Sequence, residues 1–80
     1  MEIIELGRFE HRQLVGRRCL VLDAVEKGKV GVVRVYDRKG QLDSELWSAE
    51  SEYSVPAGQE AEVVGIRTIV LIIKPTEPVS

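Results

Sequence analysis

Four serines, Ser44, Ser48, Ser51 and Ser54, fall close together in this chain, and a serine becomes a nucleophile only with a base in hydrogen-bond reach. No base is near. The one histidine, His11, sits in the charged stretch Phe9-Glu10-His11-Arg12 and reads as solvated, while the lysines fall in turns or at a strand exit. Cys19 is flanked by Arg17 and Arg18, whose charge could lower a thiol pKa. A structural cysteine opening the apolar run Cys19-Leu20-Val21-Leu22 is the preferred reading. One Cys and one His can build neither an internal disulfide nor a zinc site of those ligands, so no metal is expected. Glu50 with Glu52, and Glu60 with Glu62, lie on one side of extended segments. Paired carboxylates cut glycosides only when held across a cleft, and charge alternating on an outward face accounts for both pairs. Lys27-Gly28-Lys29 lacks the Gly-x-x-x-x-Gly-Lys-Ser/Thr spacing that wraps phosphates and reads as a polar turn. No catalytic residue, metal ligand or cofactor is therefore assigned.

Five strand-like segments must position whatever the chain does use. Cys19-Leu20-Val21-Leu22 is too short for periodicity to separate a strand from one helical turn, and strand is preferred. Val30 to Tyr36 is dense in β-branched residues and ends at Asp37-Arg38-Lys39-Gly40, where Gly40 can supply the positive φ of a tight turn. A return arm, Gln41 to Ser44, leads into Glu45 to Ser51, in which Trp47, Ala49 and Ser51 share one side of the pleat. Val55-Pro56-Ala57-Gly58 then breaks the pattern. Glu60 to Val64 alternates polar with apolar, Gly65-Ile66-Arg67-Thr68 separates it from Ile69 to Lys74, and Pro75 closes the last strand. Turn signals recur about every ten residues without a helical period, which predicts a small all-β barrel.

Composition sets the outer bounds. Eighty residues make one domain with a thin core. Hydrophobic residues at 44% and charged residues at 30% argue for a chain that folds, not one that stays disordered. The longest apolar run, Ile69 to Ile73, falls far short of the roughly 20 residues of a spanning helix. Met1-Glu2-Ile3-Ile4-Glu5 has neither the basic nor the long apolar segment of a signal peptide. The expected organisation is an amino-terminal arm or linker over 1–29 with room for one short strand, a barrel over 30–75, and a frayed tail over 76–80.

The order Gly31, Gly40-Gln41-Leu42, Glu45 to Ser51, Val55-Pro56-Ala57-Gly58, Ala61 to Ile66 and Leu71-Ile72-Ile73-Lys74-Pro75 resembles the NfeD-like carboxy-terminal domain over residues 30 to 75. Trp47-x-Ala49 and Leu71-x-Ile73-x-Pro75 are its most telling pieces. These are core and turn residues, not chemistry. The resemblance implies a five-stranded OB-fold barrel at the cytosolic or membrane-adjacent end of a membrane protein. It also implies work with stomatin- or flotillin-like scaffolds or regulation of a membrane protease. Longer family members add a serine protease domain with a Ser and Lys pair, which this sequence lacks. A domain cut out of a membrane-anchored parent is expected ahead of a stand-alone relative.

On that frame Gly31, Val33, Gly40, Trp47, Ala49, Gly58, Val63, Leu71 and Ile73 are expected to form core and turns, with Trp47 inside the barrel. Neighbouring third and fifth strands would bring Leu46, Val70 and Ile72 together outside as a partner surface, unless Leu14, Val15, Leu20 and Leu22 fold back over them. The expected role is a non-catalytic protein-interaction module, with self-association a further option. The alternative is an oligonucleotide-binding OB domain. Single-strand binders need a basic groove and several aromatic platforms. A net charge of −2 with one Trp, two Tyr and one Phe argues against that. Tyr36, Trp47 and Tyr53 read as a core and rim set, and Arg34, Arg38 and Lys39 as solvated.

Overall fold

Buried side chains alternate with more exposed ones along every strand of the computed structural model, which describes residues 13–76. β1 (Arg18–Asp23) buries Cys19 and Val21, and β2 (Gly31–Val35) buries Gly31, Val33 and Val35. β3 (Trp47–Glu50) buries Ala49, β4 (Glu60–Arg67) buries Ala61 and Val63, and β5 (Val70–Pro75) buries Leu71 and Ile73. Among the described residues there is no helix. The strands close in the order β1-β2-β3-β5-β4, antiparallel throughout except where β3 runs parallel to β5. This is the five-stranded OB-type barrel, whose closure leaves no long open edge. Its bore is narrow, so Cys19, Ala49 and Ala61 alternate with Val, Leu and Ile around it. Removing each larger side chain from water contributes about 1.5–3 kcal/mol.

Each end of the bore is stoppered. A register shift between Val21 and Asp23 bends the chain after β1 across β2. Val25 then exchanges backbone hydrogen bonds of 2.9 and 2.8 Å with Val55, and both side chains are fully buried. That crossing passes directly over Gly31. A Cβ there would stand 2.5 Å from the Asp23 carbonyl oxygen and 2.6 Å from that of Ala24, so glycine alone fits. At the other end, Leu14, Trp47 and Ile66 pack half-buried against the core.

Several expectations change. The barrel wall begins at Arg18, not at residue 30, because β1 pairs with both β2 and β4 and closes the barrel. Of the supposed return arm Gln41 to Ser44, Leu42 makes an isolated bridge to Tyr36, just past β2, and the Asp43 N–H donates to the Val35 carbonyl at 3.0 Å. Gly65 to Arg67 belong to β4, which carries a bulge between Val63 and Gly65 and continues past it, so the last turn shrinks to Thr68 and Ile69. Trp47, expected inside, sits at the start of β3 and only half enters the bore. The segment from Leu14 to Leu22 does not cover Val70 and Ile72. Leu14 packs on the core, and β1 lies between β2 and β4, away from the β3–β5 seam. The first part of the expected arm, His11 included, and the tail beyond 76 lie outside the described residues.

Candidate functional site

The β3–β5 seam is the shortest join in the wall. Ala49 pairs with Leu71 and Glu50 with Ile72. One step back in this parallel register sets Ser48, in β3, level with Val70, the first residue of β5. Leu46, just before β3, and Ile69, in the turn before β5, therefore flank one end of the seam. They are 61% and 64% exposed, more than any other large apolar side chain among the described residues. Thr68 beside them has φ of +61°, a conformation that strains a β-branched residue.

Leu46, Val70 and Ile72, expected to meet outside, are only partly brought together. Leu46 and Val70 share the seam's end. Ile72 is half-buried further along, its Cδ1 lying over Gly65, where an added Cβ would stand 3.6 Å away. Between Val70 and Ile72 an ion pair crosses β5. Arg67 on β4 donates from Nε to Glu50 Oε2 at 2.8 Å and from Nη2 to Oε1 at 2.5 Å, a two-pronged bond spanning to β3. Hydrogen bonding from Arg67 holds the Glu50 carboxyl below the usual carboxylate range. Ile69 was missed in the sequence because its turn contains neither Gly nor Asn to announce it.

The core and turn residues are placed directly. Gly31, Val33, Ala49, Val63, Leu71 and Ile73 are buried, while Gly40 and Gly58 hold φ of +84° and +90° in turns. The groups with chemistry in principle are dispersed. Ser51 Oγ is buried and accepts a hydrogen bond from the Tyr53 N–H at 3.0 Å, whereas Ser44, Ser48 and Ser54 are exposed. Cys19 is fully buried, and burial pushes its thiol pKa up to about 11 despite the neighbouring arginines. Among the described residues no three His, Cys, Asp or Glu side chains are grouped to hold a metal ion. The arrangement can bury apolar surface against another molecule.

The family model described as the NfeD-like C-terminal, partner-binding domain matches residues 11–75. No curated protein matches. Among solved structures, the chain is similar to the soluble domain of a Corynebacterium glutamicum membrane protein implicated in regulation of membrane protease activity. Identity is 30% and TM-score 0.68, over 84% of this chain and 98% of that one. It is also similar to the soluble domain of the NfeD protein YuaF from Bacillus subtilis, with 26% identity and TM-score 0.74 over 98% of each chain. The C-terminal domain of stomatin operon partner protein 1510-C from Pyrococcus horikoshii shares the fold. It is 20% identical at TM-score 0.65, over 84% of this chain and 94% of that one.

Proposed function

Since the chain belongs to the family of NfeD-like C-terminal, partner-binding domains, we propose that it is a non-catalytic docking module whose contact is the apolar end of the β3–β5 seam. Leu46, Ile69 and Val70 form that contact, with Trp47 seated behind them. The observation that carries this reading is the exposure of Leu46 and Ile69, the two most exposed large apolar side chains among the described residues, at one end of one seam. Adjacent exposed apolar side chains commonly mark interaction sites. Each would contribute about 1.5–3 kcal/mol if a partner removed it from water. The strained Thr68 supports the reading, because a residue held at unfavourable φ clusters with function more often than chance allows.

The partner is a stomatin- or flotillin-like scaffold or a membrane protease, and the parent is a membrane protein that holds this domain on its cytoplasmic side or otherwise adjacent to the membrane. Support comes from the Corynebacterium relative, described as the soluble domain of a membrane protein implicated in protease regulation. Leu46→Ser and Ile69→Ser test the contact: both should keep the parent's melting temperature and lose binding to a purified scaffold. Sedimentation of the domain alone tests whether the same end pairs with a second copy. Binding of single-stranded oligonucleotides at physiological salt, with a steep salt slope, would replace this reading with the nucleic-acid one.

A further inference from the structure

A groove of about 550 Å³ opens in the β1–β2 side of the barrel, away from the seam, and three arginines line it: Arg17, Arg18 and Arg38. Strand pairing builds it. Tyr36 donates its N–H to the Arg18 carbonyl at 2.9 Å, which sets the Tyr36 ring beside Arg18. Asp37 Oδ1 accepts the N–H groups of Lys39 at 2.8 Å and Gln41 at 2.9 Å, so the turn that carries Arg38 is fixed. Gly40, at φ of +84°, leaves its part of the lining without a side chain.

The three guanidinium groups are poorly matched within the groove. Among the described residues Arg17 and Arg38 have no carboxylate in ion-pair range, and Arg17 Nε instead donates to the Gln13 carbonyl at 3.2 Å. Arg18 Nη1 stands 3.6 Å from Glu60 Oε1, beyond hydrogen-bond length, while Glu60 Oε2 accepts the Tyr36 hydroxyl at 3.0 Å. Glu60 thus acts as an internal carboxylate held loosely against an arginine. A planar guanidinium takes a carboxylate through two parallel N–H bonds, a stronger contact than the one observed.

We propose that this groove receives a short acidic segment of a protein partner, whose carboxylates fork onto Arg18 and Arg38 and displace Glu60 from Arg18. The lining sets three guanidinium groups against the carboxylates of Asp37 and Glu60, a local excess of positive charge that complements an acidic segment. The inference deepens the partner-binding reading and rests on it only for the source of the segment.

The test uses the 80-residue chain and a fluorescein-labelled octapeptide of alternating glutamate and glycine, with glutamine replacing glutamate in the control. The probe has no apolar anchor, so its failure leaves the seam contact standing. Anisotropy should show the acidic peptide binding about tenfold or more tighter than the control, weakening as salt rises from about 50 to about 300 mM. Arg18→Gln and Arg38→Gln should each weaken it at least about fivefold at unchanged melting temperature, and Leu46→Ser should leave it unaltered. Glu60→Gln should tighten it, because the internal competitor is gone. Equal binding of the control peptide, indifference to both arginine variants, or weaker binding by Glu60→Gln overturns the proposal. Capture by phosphatidylserine vesicles without peptide binding overturns it in favour of a lipid surface.

Discussion

Replacing Gly31 by Ala should destabilise this domain, although two general effects favour the change. Gly31 is not among the glycines with positive φ, so alanine can adopt its backbone, and such a substitution ordinarily stabilises by about 0.4–1 kcal/mol through the unfolded chain. The added methyl is also apolar at a buried site. Against this stands geometry. The new Cβ would lie 2.5 Å from the Asp23 oxygen, 2.6 Å from the Ala24 oxygen and 2.7 Å from Val25 Cγ2. Two of the three are backbone atoms, which cannot turn aside. Relief requires lifting the crossing strand, whose next residue holds the Val25–Val55 bridge that closes the bore. Overpacking typically costs about 1–3 kcal/mol, and a clash against backbone belongs at or above the upper end. A loss of about 3 kcal/mol lowers the melting temperature of a domain this size by roughly 12–24 °C. Gly65→Ala is the control: its Cβ meets Ile72 Cδ1 at 3.6 Å, ordinary contact, so it should be neutral or slightly stabilising. Urea unfolding followed by Trp47 fluorescence reads both variants. A Gly31→Ala protein as stable as its parent would refute the crossing over β2.

Thr68→Gly should raise stability by about 1 kcal/mol, since a two-residue hairpin loop with positive φ at its first position selects glycine; calorimetry showing a lower melting temperature would count against the strained turn. The Cys19 thiol, buried and raised to about 11, should resist a thiol reagent until the barrel opens, and labelling at the speed of a free thiol in the native state would contradict its burial. Arg67 lowers the Glu50 pKa, so the pair's stabilisation is fully present above the unfolded-chain value and disappears as pH falls through the lowered folded one. Carboxyl NMR titration should find Glu50 below its ordinary value and returning toward it in Arg67→Ala; no movement would dissolve the pair.

The barrel was legible because its inward positions alternate. Cys19-x-Val21, Val33-x-Val35, Ala61-x-Val63 and Leu71-x-Ile73 each repeat the two-residue period of a pleat, and the structure buries all of them. Legibility failed where that period breaks. The bulge after Val63 shifts β4 by one residue, so Gly65 and Ile66 resemble a turn while continuing a strand. The Thr68-Ile69 turn contains no turn-forming residue, which hid the most exposed isoleucine among the described residues. Leu46 could be named because the third and fifth strands of an OB barrel are neighbours. The separation of Val70 from Ile72 could not, since Glu50 and Arg67 are distant in sequence and meet only across β5. The arginine groove was hidden for the same reason: Arg38 reads as solvated charge, and Arg17 and Arg18 only as the flanks of Cys19, until β1 pairs with β2.

Amide-resolved NMR titration of the isotope-labelled domain with a purified stomatin-like scaffold tests the docking claim most directly. The amides of Leu46, Trp47, Thr68, Ile69 and Val70 should shift together and saturate, and the Leu46→Ser and Ile69→Ser variants should abolish the response without altering the spectrum of the free domain. Saturable binding that leaves all five of these amides unmoved would contradict the account, because the partner would then be held by some other face of the barrel.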